Sequence, residues 1–134
     1  MGDPTIGNVM INTAREVGKP IMREKKARAW DKVTEAYLYS DKFPSMWQFY
    51  KELENRGIRH FETEDYTGLQ DKNSVEVYEG DKIERNSEIY VVAWHTNKAS
   101  WYLQPRGGGW HGITRSDMAL MCEVIGNIWE ELRK

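Results

Sequence analysis

The sequence predicts an α+β fold: a small, strongly curved antiparallel β-sheet or barrel with one main amphipathic helix. Three observations carry this expectation. Residues 45–55 place apolar side chains at a helical period. After Gly57 the period falls to near 2 and holds through short segments separated by Gly, Asn and Asp turns. A chain of 134 residues with 40% hydrophobic residues, six Trp and seven Tyr has the length and apolar area for one domain around one core.

Residues 1–21 mix Gly2, Gly7, Gly18, Pro4 and Pro20 with small apolar residues and show no sustained period, so they are expected to form a loosely ordered extension or an added leader. Ile6, Val9, Met10 and Ile11 are residues within it suited to docking on the rest of the chain. Residues 22–134 are expected to form a single domain. It opens with a strand at 25–30, a turn at 31–34 and a return strand at 36–39. The helix at 45–55 has Ser45 as N-cap, Gln48 completing a capping-box pattern and Gly57 past its last turn. Met46, Phe49, Tyr50 and Leu53 then share one face, and Trp47 points elsewhere.

Beyond Gly57 the sequence predicts a strand at 58–63, turns at Thr67-Gly68 and 71–74, and a short strand at 75–78. Gly80-Asp81 forms a tight corner into 82–85, and Asn86-Ser87 turns the chain into 89–94 and on to 99–103, making a three-stranded meander. If Gly80 has positive φ, a β-branched substitution there is strained and alanine is milder. Gly107-Gly108-Gly109 breaks the pattern, 116–121 suits a helical turn, and 123–129 reads as a final strand before a polar tail. Short antiparallel strands around a Gly-Asp corner suggest a small barrel of the Src-homology type, in which curvature brings first and last strands together.

A net charge of −2 gives the whole chain no bulk attraction to nucleic acid or to an anionic membrane. The single Cys122 excludes an internal disulfide and a cysteine-built zinc site, and it fits a reducing compartment. No apolar run approaches a membrane span. These features point to a cytoplasmic protein.

No catalytic constellation is apparent, and the reading is of a non-enzyme without metal or cofactor. Asp65, Asp71, Glu76, Glu79 and Asp81 crowd one region, but they alternate with Lys72 and Lys82 and sit at turns, where aspartate accepts backbone hydrogen bonds. His60, His95 and His111 lack the helical i, i+4 pairing of a zinc hydrolase. The glycine run has no Gly-Lys-Ser/Thr ending and reads as a hairpin loop. Its neighbours Arg106, Trp110, His111 and Arg115 form a candidate recognition loop, because an aromatic platform beside guanidinium groups can stack on bases or anchor a partner. Arg23, Lys25, Lys26 and Arg28, with Lys19 before them and Trp30 beside them, form a candidate basic strand for phosphate contact, or simply an edge strand protected by charge.

Three stretches carry a family resemblance. Met22-Arg23-Glu24-Lys25-Lys26-Ala27-Arg28-Ala29-Trp30-Asp31-Lys32 sets the start. Tyr66-Thr67-Gly68-Leu69-Gln70-Asp71-Lys72-Asn73 runs on through Val77-Tyr78-Glu79-Gly80-Asp81-Lys82-Ile83, and Glu123-Val124-Ile125-Gly126-Asn127-Ile128-Trp129-Glu130 echoes it near the end. Together they resemble the YopX proteins of phages and prophages. The resemblance covers nearly all of the chain from Met22, strongly at 66–83 and 123–130. Ser74 departs from the glycine usual after Asp-Lys-Asn, which predicts a relaxed or different turn. The resemblance implies a phage or prophage accessory protein in a bacterial cytoplasm and supplies no settled activity.

Six Trp and an aromatic amphipathic helix exceed what one small core needs, so the expected role is protein binding, either as a homo-oligomer or on a host or phage protein, with Trp47 as the candidate interface residue. The alternative is a nucleic-acid-binding small barrel using the basic strand and the recognition loop. Because residues 1–21 lack periodicity, a chain starting at Met22 should fold, with a melting temperature close to that of the full chain in a thermal melt.

Overall fold

The computed structural model describes residues 24–133. Residues 1–21 and Arg23 lie outside that range. Its strands are β1 (Ala27–Asp31), β2 (Ala36–Tyr39), β3 (Phe61–Gln70), β4 (Glu76–Tyr78), β5 (Asp81–Arg85), β6 (Glu88–His95), β7 (Ser100–Pro105), β8 (His111–Gly112) and β9 (Glu123–Asn127). Its α-helices are α1 (Met46–Arg56), α2 (Arg115–Met121) and α3 (Ile128–Arg133). The strands form two antiparallel sheets, ordered β2-β1-β3-β4 and β8-β7-β6-β5-β9. The result is an α+β fold with a strongly curled antiparallel half-barrel and one main helix.

The first hairpin forms where expected because Asp31 accepts the amides of Val33 and Thr34 and so fixes the turn. β1 is not an edge strand, however. It lies between β2 and β3, with both faces covered. Ala27 and Ala29 face α1, where their small size admits Phe49 and Leu53, both fully buried. Each of those two side chains contributes about 2 kcal/mol of burial. Ser45 Oγ accepts the Gln48 amide, and Gly57 leaves α1 at φ +106°. Tyr50, expected on the buried face, is 38% exposed, its ring lying edge-on against Phe49.

β3 corrects two expectations. Residues 58–60 form a 3-10 turn, and the strand starts only at Phe61. It then runs straight through Thr67-Gly68, which is a bulge inside the strand. Gly68 takes φ +84°, and the Thr67 hydroxyl donates to Val77 O and accepts the Leu69 amide, replacing ladder bonds lost there. The bulge bends β3 so that its first half pairs with β1 and its second with β4. Ser74 holds φ +64°, the left-handed conformation that glycine usually supplies.

The meander β5-β6-β7 forms as predicted, with Asn86 and Ser87 both at positive φ in its first turn. The last strand stops at Asn127, not at Trp129. Asn127 Oδ1 accepts the amides of Trp129 and Glu130, an N-cap that turns the chain into α3. The expected closure of first strand on last is replaced by other contacts: β9 pairs with β5, and Trp30 of β1 stacks on Trp129 with centroids 5.9 Å apart. Among the described residues the apolar interior divides into two clusters, where one core was expected. The first surrounds α1; the second holds Val77, Ile83, Val92, Leu103, Met118 and Cys122.

Gly80 takes φ +87°, as its corner requires. A Cβ there would also stand 2.5 Å from Glu64 Oε2, so the expected mildness of alanine is lost. Gly80→Ala and Gly80→Val should both destabilise the protein by about 2 kcal/mol or more in urea denaturation.

Candidate functional site

Arg28 stands directly opposite Glu64 in the β1–β3 ladder, on the face of β1 away from α1. Its Nε donates to Glu64 Oε1 at 2.8 Å, and its Nη2 donates to Asp81 Oδ1 at 2.7 Å and to Glu79 O at 3.3 Å. The guanidinium lies 4.0 Å from the Tyr37 ring centroid and 4.7 Å from that of Tyr78. Around it, the Tyr37 hydroxyl donates to Glu64 Oε1, Trp129 Nε1 donates to Glu64 Oε2, and the Tyr78 amide donates to Asp81 Oδ2. Arg28, Glu64 and Asp81 are at most 5% exposed, so a charged cluster is sealed between the two sheets.

Burial opposes the charge on Arg28, but Asp81 and Glu64 beside it hold its pKa above the ordinary value. Burial pushes the Asp81 carboxyl up to about 6, against the pull of Arg28 and the Tyr78 amide. Both Asp81 oxygens accept hydrogen bonds, which fits an ionised carboxylate at neutral pH. Burial likewise raises the hydroxyls of Tyr37 and Tyr78.

A cleft of about 470 Å³ opens over this cluster between β2, β4 and β9. Tyr39 and Tyr78 form one wall, edge to face with centroids 5.8 Å apart. Glu76 and Glu130 bring carboxylates to it, with Glu76 ion-paired to Lys26. The Glu130 carboxylate lies over Gly126, 2.8 Å from where a Cβ would stand.

Asp71 and Asp81 of the central motif serve structure. Asp71 Oδ1 accepts the amides of Asn73 and Val75 and its Oδ2 that of Val124, tying the 71–74 turn to β9. Among the described residues no three His, Cys, Asp or Glu side chains are grouped to hold a metal ion. Cys122 is buried, and burial raises its thiol pKa.

The described residues of the candidate basic strand do not share one exposed surface. Arg28 is sealed in the cluster, Trp30 is 5% exposed under Trp129, and Lys26 is paired with Glu76; only Lys25 is exposed, and Arg23 lies outside the described residues. Its alternation was visible, but partners on β3 and β5 lie more than 30 residues away.

The recognition loop also separates. His111 pairs with Leu103 and packs on Tyr90, while Arg115 donates to Gly68 O and exposed Arg106 lies by Ile89 and Pro105. Trp110 sits on the opposite sheet face, 5.0 Å from the His95 ring and 6.3 Å from Tyr102, with Lys98 Nζ 5.9 Å above it. Tyr102 was not singled out from the sequence and His95 was weighed only as a metal ligand, because only the β6–β7 register puts the two together. Trp47 stands apart on α1, 71% exposed.

Because the Asp81 pKa in the fold lies above the 3.8 of an ordinary aspartate, the folded state binds a proton between pH 6 and 4 that the unfolded state does not. Stability from this group is therefore lost as pH rises through 6. Lowering pH from 7 to 5 should raise stability by about 1 kcal/mol, read as a higher melting temperature, and Asp81→Asn should remove that rise.

Compared with known proteins, residues 26–133 match the model of the YopX protein family. No curated protein matches. Among solved structures, the crystal structure of protein EF1440 from Enterococcus faecalis superposes with a TM-score of 0.50 at 16% identity, over 83% of this chain and 97% of that one. That likeness shows the fold alone. The family match spans the buried cluster, the cleft and both motif stretches, and the chain belongs to the YopX protein family.

Proposed function

We propose that this protein is a non-enzymatic, protein-binding accessory module of phage or prophage origin, acting in the cytoplasm of a bacterial host by contact with copies of itself or with another protein. The observation that carries this reading is Trp47. The same helix buries Phe49 and Leu53 completely yet leaves this indole 71% exposed, with Tyr50, one turn on, 38% exposed beside it. Exposed Trp and Tyr on a rigid helix supply large contact area at low entropic cost, and such residues anchor interfaces. Among the described residues no helix is long and apolar enough to cross a membrane.

A second reading, nucleic-acid binding, rests on Trp110, His95 and Tyr102 with Lys98 at one end of the β6–β7 sheet face. An aromatic platform beside a cation suits single-stranded bases. The burial of Arg28 and Trp30 and the net charge of −2 weigh against it.

Sedimentation at tens of micromolar should give an oligomer, and Trp47→Ala should weaken association roughly tenfold, as expected for an interface anchor. A monomer near 15.7 kDa removes self-association and leaves a heterologous partner. A gel shift with single-stranded DNA or RNA that is lost on Trp110→Ala favours the second reading.

A further inference from the structure

We infer that the cleft between β2, β4 and β9 receives an arginine or lysine side chain of a partner protein. This rests on the protein-binding reading, but it concerns a different surface: β1 separates the cleft, on its Arg28 face, from α1 and Trp47 on its alanine face.

The chemistry of the cleft repeats what the protein already does with its own cation. Arg28 lies between the rings of Tyr37 and Tyr78 with carboxylates at its edge. Just outside, Tyr39 and the same Tyr78 wall the cleft, with the carboxylates of Glu76 and Glu130 at hand. An incoming guanidinium or ammonium therefore meets Tyr39 and acids, the same kinds of group that hold Arg28, with Tyr78 only 3% exposed behind them. Val75, 45% exposed, gives its aliphatic stem an apolar surface.

Charge selects the sign of the occupant. Among the described residues that line the cleft Arg28 is the one cation, and its charge is already matched by Glu64 and Asp81; Glu76 and Glu130 add two further carboxylates. Lys26 offsets Glu76 in part. An anion would meet a surplus of negative charge, whereas a cation is drawn in. The net charge of −2 on the whole chain acts in the same direction.

The test titrates the full-length protein with a short peptide alternating arginine and glycine, with the same peptide carrying glutamate for arginine, and with spermidine, followed by calorimetry and amide shifts. The arginine peptide should bind roughly tenfold tighter than the glutamate peptide, shift the amides of Tyr39, Tyr78 and Gly126, and weaken with added salt. Glu76→Gln combined with Glu130→Gln, and separately the charge-neutral Tyr39→Leu, should each weaken it about fivefold with circular dichroism unchanged. Trp47→Ala should leave it unchanged, so that failure here and failure of self-association remain distinct. Equal binding of the two peptides, shifts elsewhere, or unaltered affinity in the well-folded variants overturns the inference. Spermidine binding as tightly as the arginine peptide overturns it too, making the cleft a polyamine site.

Discussion

The buried Arg28 guanidinium ties one sheet to the other. It draws β1, β3 and β5 together through Glu64 and Asp81, and Glu64 in turn holds Trp129 at the start of α3. A buried ion pair of this kind adds little net stability over an apolar replacement, because desolvation consumes most of the Coulombic gain. Removing one member is another matter, since the remaining charge is then stranded in the interior. The cluster acts as a specificity device: alternative registers of β1 against β3 would separate Arg28 from Glu64, and a shift of β5 would withdraw Asp81.

This constraint explains the glycine at the corner. The Glu64 carboxylate occupies the space that a side chain at position 80 would need. Gly80 thus answers two demands, a positive φ and room for a carboxylate. Its amide donates to Val92 O and its carbonyl accepts the Ile128 amide, so the corner also locks β6 and α3. Packing on the other face of β1 is independent and apolar. Two clusters result, one around α1 and one where the five-stranded sheet meets β4 and α2.

The tryptophans divide according to the same layout. Trp30 and Trp129 stack on each other, Trp101 packs on the second cluster, and Trp47, Trp94 and Trp110 remain at least 42% exposed. The exposed three lie on separate elements. The surplus aromatic residues of the composition therefore leave exposed rings on the surface, but one site does not gather them. The acidic cleft is a further surface, distinguished by being concave and by having its chemistry mirrored in the interior.

Local features were legible in the sequence because their causes are local. Ser45 and Gly57 bound α1, Asp31 builds its own turn, the meander follows from period 2 with Asn86-Ser87 between strands, and the two motif stretches marked the family. Thr67-Gly68 misled because threonine and glycine serve a bulge as well as a turn, and Trp129 because a cap at Asn127 competes with a strand of apolar residues. Arg28 and Trp30 looked like a basic, aromatic surface. Nothing local distinguishes a solvated arginine from one sealed against Glu64 and Asp81, 36 and 53 residues further along. The class of fold, the main helix and the family could all be read from the residues in order. Which charges are buried and which aromatic residues meet could not, because long-range strand pairing sets both.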